Sequence, residues 1–368
     1  MTKIIDITKK VYSGGTPDTR KSEYWNGNIK WLSSGETRNN FVYDTDKKIT
    51  ELGVSNSSTK LANKSSIVMA CAGQGFTRGQ TSYLMDDMYI NQSVICIEPD
   101  EEKVDGLYLY YYFKNSYQML RKLSDDHSSR GSITTAMIKE LEVKFPSIVV
   151  QKKISTILYS LDKKIELNNQ INNNLYEESV ALYKEEFKGI GQDKKIIGDY
   201  IVPKRGKNLL TRDAIDGDTP VVAGGINPSA YHNQFNTKSP VITISASGAN
   251  AGYTNLWNIP VWASDCSYID DSITKNVYFW YIVLKTRQNE IFDAQTGSAQ
   301  PHIYPQHIAE MSIGELNIAE VEKYNNLVAP LFKMIGENQK ENKKLSQLRD
   351  TLLPKLMNGE INLDNIEI

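Results

Sequence analysis

Cysteine and histidine are scarce in these 368 residues, three of the first and four of the second. Cys71, Cys96 and Cys266 are odd in number and show no CxxC spacing, which argues against a disulfide framework or a zinc site and fits a reducing cytoplasm. His127, His232, His302 and His307 form no HExxH or triad spacing, and Pro305 between the last two removes any shared helix face. Long apolar runs are also missing. The longest, Tyr278 to Leu284, is far too short to cross a bilayer, and the stretch from Met1 to Asp6 lacks the apolar core of a signal peptide. Neither charge is in excess, with 42 Lys+Arg against 44 Asp+Glu and a formal charge of −2. That balance argues against binding by bulk charge and leaves room for local basic patches.

Catalytic signatures fail on inspection. Gly73, Gly75 and Gly79 follow a strand-like run, but their spacing is GxGxxxG, and Thr81 to Ile90 does not read as the helix a phosphate site needs. Ser247-Gly248-Ala249-Asn250-Ala251-Gly252 occupies the same place further along and again leads into β-rich sequence. Pro99-Asp100-Glu101-Glu102-Lys103 compresses nuclease letters into one turn, which cannot set two acids around a metal. Asn227-Pro228-Ser229-Ala230 lacks the second proline and the aromatic of an amino-methyltransferase motif. No catalytic residue and no metal site is expected, which moves the reading toward binding.

What the sequence does contain is a long duplication. Ile157, Leu161, Ile165, Asn168, Asn172, Leu175 and Leu182 recur as Leu327, Leu331, Ile335, Asn338, Asn342, Leu345 and Leu352, each pair separated by 170 positions. Ile133, Ile138, Leu141 and Val143 map onto Ile303, Ile308, Met311 and Ile313 by the same offset. From Gln151 to Phe187 the apolar spacing of three and four, with no proline or glycine, predicts a helix of roughly 37 residues, about 55 Å long. Its twin, from about Val321 to Met357, contains Pro330, Gly336 and Pro354 and is expected to kink, or to begin late and fray early. The blocks before each helix read as short strands and loops, with Ile67-Val68-Met69-Ala70 and Val241-Ile242-Thr243-Ile244 as buried strands.

A solitary amphipathic helix of this length cannot bury its stripe, so the two are expected to pair as an antiparallel coiled coil. The seam is predicted from Leu158, Leu161, Ile165, Asn168, Leu175, Leu331, Ile335, Asn338 and Leu345, with the asparagines fixing register. The fold class is α+β, with two globular domains separated by two long helices. Boundaries are drawn at 1–150, 151–188, 189–320 and 321–360. Two domains held a fixed distance apart form a ruler, and duplex DNA repeats every ~34 Å.

Polar loops in both halves supply donors for phosphates and base edges. Candidate DNA-binding residues are Lys30, Ser33, Arg38, Gln74, Arg78 and Arg130 in the first half, and Lys204, Arg205, Lys207, Asn250, Tyr253, Gln300 and His302 in the second. Residues 121–164 carry 9 basic and 5 acidic side chains, a basic strip suited to phosphate contact.

As an ordered set, several stretches resemble the specificity subunit of type I restriction-modification systems. They include Gly14-Gly15-Thr16-Pro17, the run from Tyr24 to Glu36, Lys64-Ser65-Ser66-Ile67-Val68-Met69-Ala70, the run from Ser245 to Gly252, Trp262-Ala263-Ser264-Asp265-Cys266, and Thr296 to Ile303. Both helical segments match too, ending in the run from Leu348 to Ile361. The resemblance implies two target recognition domains, each reading one half of a bipartite sequence in double-stranded DNA. It implies helices that set the spacer and dock two methyltransferase subunits, with restriction subunits added. S-adenosylmethionine, ATP and Mg are expected on those partners, and no cofactor on this chain. A protein-binding scaffold and an unrecognised DNA-modifying enzyme are the alternatives.

Overall fold

A computed structural model describes residues 1–73, 75–125, 131–188, 195–297 and 300–363. The chain forms two compact units, one of Met1–Lys164 with Leu345–Ile368, the other of Ile165–Lys344. Both long helices, Ile148–Glu186 and Ile318–Met357, therefore contribute to both units.

In the first unit a five-stranded sheet runs in the order Thr8–Ser13, Val94–Pro99, Ile67–Ala70, Thr81–Leu84, Phe41–Val42, antiparallel except for the last pair. Ile67–Ala70 is buried at every residue, as its unbroken apolar run requires. A second sheet orders Lys47–Ile49, Trp25–Leu32, Met88–Ile90 and Lys60–Ala62. The helix Gly106–Asn115 packs on the first sheet and is buried nearly all round through Tyr108, Leu109, Tyr110, Tyr111 and Phe113. Asp105 caps it, its carboxylate accepting from the Tyr108 amide at 2.8 Å.

The second unit repeats this plan in shortened form. Its main sheet orders Lys204–Arg205, Cys266–Asp270, Val241–Ser245 and Thr254–Trp257, and its smaller sheet Ala230–His232, Thr219–Val222 and Trp262–Ala263. The apolar run noted in the sequence is the core helix Val277–Thr286. Cys96 and Cys266 occupy equivalent strands, and burial pushes their thiols up to about 11 and about 12. The blocks that read as strands and loops thus also hold helices. A helix apolar on every side has no 3.6-residue stripe, and its tyrosines suit a strand equally well.

Within each unit the long helices pair antiparallel. In the second, the Asn168 amide donates to Asn342 at 2.9 Å and the Asn338 amide to Asn172 at 2.8 Å. In the first, Arg349 meets Asp162, and the Lys153 ammonium reaches the Leu363 carbonyl at 3.0 Å. Positions rise along one helix as they fall along the other. Of the predicted seam, Leu158, Asn168 and Ile335 are buried, while Leu161, Ile165, Leu175, Leu331, Asn338 and Leu345 are partly so.

Against the expectation of a late start and early fraying, the C-terminal helix runs continuously from Ile318 to Met357. Pro330 lies on the exposed side, where water can take up the carbonyl it leaves free. Gly336 faces Asn258 so closely that a Cβ would come within 2.6 Å of the asparagine Cβ, so glycine permits the approach.

Candidate nucleic-acid interface

In the second unit the sheet delivers several loops to one rim. Strand Val241–Ser245 runs into the turn Ala246–Tyr253, where Gly248 and Gly252 adopt φ of +81° and +85°. That turn is stitched to the segment Thr296–Ile303: the Gly248 amide donates to the Pro301 carbonyl at 3.1 Å, and the Ile303 amide to the Ala246 carbonyl at 2.9 Å. His302 exchanges backbone hydrogen bonds with Thr296 at 2.8 and 3.0 Å, and its Nδ1 lies 2.8 Å from the Gln300 carbonyl. Arg205 ends its strand beside the same rim, with its guanidinium 2.5 Å from Asp265, whose other oxygen accepts from the Ser247 hydroxyl. Arg205, Asn250, Gln300 and His302 thus meet at one end of the sheet.

Tyr253 closes the turn. The Lys285 ammonium sits 4.4 Å from its ring centroid while donating to the Thr254 carbonyl at 2.9 Å, and burial lowers the ammonium's pKa. Lys204 and Lys207 are exposed on and just beyond the Arg205 strand. The rim therefore offers a guanidinium, an imidazole, amides and a phenol, which are the groups that donate to and accept from base edges and phosphates.

The first unit builds its rim from equivalent segments. The Cys71 amide donates to the Ser93 carbonyl and the Ile133 amide to the Cys71 carbonyl, at 2.9 and 2.8 Å. The Gly14 and Gly15 amides are bound to the Asn91 and Ile90 carbonyls. Tyr117 and Arg121 reach up from the helix Tyr117–Asp125 to hold the carbonyls of Phe76 and Gly75. Arg78 lies inward, 6% exposed and 2.5 Å from Asp125. The Lys30 ammonium is held by the Tyr43 carbonyl and the Asp86 carboxylate. The Ser33 hydroxyl donates to Glu36 at 3.0 Å, and Arg38 is exposed. Gln74 and Arg130 lie outside the described residues. Among the described residues no group of three or more His, Cys, Asp and Glu could hold a metal ion, and no helix is long and apolar enough to cross a membrane.

Residues 1–177 match the family described as Type I restriction modification DNA specificity domain. The Type I restriction enzyme MjaIX specificity subunit of Methanocaldococcus jannaschii is 27% identical, covering 99% of this chain and 94% of its own. The chain is thus similar to type I specificity subunits, through the domain model over residues 1–177 and along nearly its whole length to the MjaIX subunit. A second relative, the Type I restriction enzyme EcoR124I/EcoR124II specificity subunit of Escherichia coli, is 30% identical over 46% of this chain and 42% of its own. Among solved structures, the type I restriction-modification S subunit from M. genitalium has the same fold, with a TM-score of 0.64 at 18% identity, covering 97% of this chain and 95% of that one.

The rim also has residues that the sequence did not single out. Asp265 orients Arg205, and Lys285 and Tyr117 support their loops from neighbouring helices. Asp265 stood inside the motif Trp262–Cys266 without an assigned role. Lys285 and Tyr117 carried no local signal, because their partners come from packing rather than spacing.

Proposed function

We propose that this chain is the DNA-sequence specificity subunit of a type I restriction-modification complex, in which each unit reads one half of a bipartite target in double-stranded DNA. The observation that carries the reading is the repetition itself. Two units of one element order each present a rim of polar loops from the same end of the same sheet. Base edges are read by such groups when a scaffold holds them in place, and two different rims read two different half-sites.

On this reading the long helices set the spacer between half-sites and dock two methyltransferase subunits, to which restriction subunits add. The chain is non-catalytic alone and works in the cytoplasm. S-adenosylmethionine, ATP and Mg sit on the partners. Base contacts fall to Arg205, Asn250, Tyr253, Gln300 and His302 in one unit, with Lys204 and Lys207 toward phosphates. In the other, DNA contact falls to Lys30, Ser33, Arg38 and the loop following Cys71, with Arg78 bracing that loop through Asp125.

Co-expression with a partner methyltransferase, followed by methylome sequencing, tests the proposal. The expected result is a split motif methylated on adenine in both halves. A continuous motif overturns it, as does methylation by the isolated chain supplied with S-adenosylmethionine, which would favour an enzyme. An assembled complex whose affinity for duplex is insensitive to salt would favour a protein scaffold.

A further inference from the structure

The first unit carries a basic groove away from its rim. Strand Thr8–Ser13 is an edge of the five-stranded sheet, and around it opens a hollow of about 700 Å³. Lys9 and Lys10 come from that strand, Lys60 from the strand Lys60–Ala62 of the second sheet, and Lys139 from the helix Thr135–Glu140. Three separate elements thus bring four lysines to the lining of one hollow.

These lysines differ from others in the same unit. Lys3, Lys30, Lys48 and Lys103 each pair with a carboxylate, at 2.5, 2.5, 3.1 and 3.1 Å. Among the described residues none of the four groove lysines forms an ion pair, and Lys60 rests instead over the Tyr12 ring, 5.7 Å from its centroid. The carboxylate lining the groove is Glu98, directly across the strand pair from Lys10. One of its oxygens lies 3.4 Å from the Asn63 amide, and the other is buried without a partner. Lys9 also acts on the carboxylate of Asp100, which pairs with Lys103 outside the groove lining, so even with Lys10 turned onto Glu98 the lysines outnumber the acids facing them. Lysines blunt sheet edges in many proteins, but edge protection does not require two further lysines to be brought in from other elements.

We propose that this groove binds DNA-backbone phosphates flanking the half-site read by the first unit, an interaction that adds affinity without sequence information. The inference rests on the specificity-subunit function proposed above. The edge strand that carries Lys9 and Lys10 runs straight into Gly14 and Gly15, which are tied to the rim through Asn91 and Ile90. Three residues of that strand carry the chain from Lys10 to Ser13, about 10 Å at ~3.3 Å per residue. Along one strand of DNA that is about three nucleotides. Lysine suits the task, as an ammonium is a point charge that holds phosphate without selecting a base.

The test is a K9Q/K10Q/K60Q triple variant in the assembled methyltransferase complex, alongside K9R/K10R/K60R. Binding to a duplex with long flanks is measured across a salt series. The glutamine variant is expected to lower the slope of log affinity against log salt by about 0.9 for each phosphate no longer neutralised, two to three units in all, with the methylated motif unchanged. The arginine variant is expected to keep the wild-type slope. An unchanged slope in the glutamine variant, where the wild type shows salt-dependent binding, removes the groove alone. A changed motif assigns these lysines to base reading and overturns the proposal. A wild-type complex that ignores duplex removes the specificity-subunit function along with the groove. Inorganic phosphate and ATP serve as small-ligand probes. If either raises the melting temperature of the wild type but not of the glutamine variant, with the DNA slope unmoved, the groove serves a free phosphate compound and not DNA.

Discussion

The two units close around the long helices by different chemistry at equivalent places. In the first, Asp162 is 2% exposed and accepts from the Arg349 guanidinium at 2.5 Å, from the Tyr111 hydroxyl at 2.7 Å and from the Asn40 amide at 3.4 Å. By the 170-residue offset, Asp162 corresponds to Phe332 and Arg349 to Ser179. In the second unit Phe332 stacks on Tyr278 at 5.0 Å and meets Tyr281 edge-on at 5.6 Å, while the carbonyl of Ser179 accepts from the Tyr324 hydroxyl at 2.7 Å. One junction is ionic and the other aromatic, on the same backbone plan. A long helix that caps the neighbouring core helix is retained in both. The Gln151 side chain accepts from the Asp105 amide, and Asn325 from the Tyr278 and Phe279 amides. Duplication fixed where the helices touch each unit, and left open what chemistry joins them.

The most severe disruption should come from breaking the ionic junction on one side. Arg349→Met leaves a carboxylate buried without its cation and is expected to cost about 3–5 kcal/mol in urea unfolding, whereas Asp162→Leu with Arg349→Met should recover most of that loss. If the single variant unfolds like the wild type, the contrast between the junctions collapses. Phe332→Ala, which opens a cavity between two tyrosines, is expected to cost about 3 kcal/mol and to show no coupling to the Arg349 change. Strong coupling between them would mean that the junctions are not independent. A smaller effect is expected at the asparagine ladder, where Asn168→Leu removes the donor to Asn342 and should cost about 1 kcal/mol. A gain in stability there would show that the polar seam is maintained for register alone.

The mildest prediction concerns pH. Burial brings the Lys114 ammonium down to about 8, with Arg349 adding to the effect and Asp162 opposing it. The folded value lies below the ordinary 10.5, so the penalty for holding the charge is complete below pH 8 and is relieved as pH rises toward 10.5. The first unit should therefore gain stability between about pH 8 and 10, and Lys114→Met should flatten that rise in thermal unfolding. A variant that follows the wild-type curve would detach Lys114 from the ionic junction.

The sequence revealed the parts of the fold that repeat at fixed offsets or with helical periodicity. Leu158, Asn168 and Ile335 were legible because a long amphipathic helix announces its own buried stripe. The core helices were not, because Tyr108 to Phe113 and Val277 to Leu284 lack a polar face to set a period. Proline and glycine misled for the opposite reason. Pro330 and Gly336 look like breaks in one dimension, while in three one faces solvent and the other accommodates Asn258. At the rim, residue types pointed to Arg205 and His302, but the side chains that hold them in place come from other elements. Arg78 shows the limit of reading by type, since an arginine in a polar loop can equally be an internal brace.

Asp162 carries a consequence for exchanging recognition blocks between related chains. Its donors come from three stretches of sequence: Asn40 and Tyr111 from the block before the central helix, and Arg349 from the far end of the chain. A chimera joined near residue 150 keeps the carboxylate and the guanidinium but imports whatever stands at the other two positions. A donor block with phenylalanine in place of Tyr111 would leave the carboxylate short of a hydrogen bond in a site closed to water. Shuffling at this junction is therefore conditional: the incoming block has to bring a hydroxyl, or the host has to give up Asp162 in the same step.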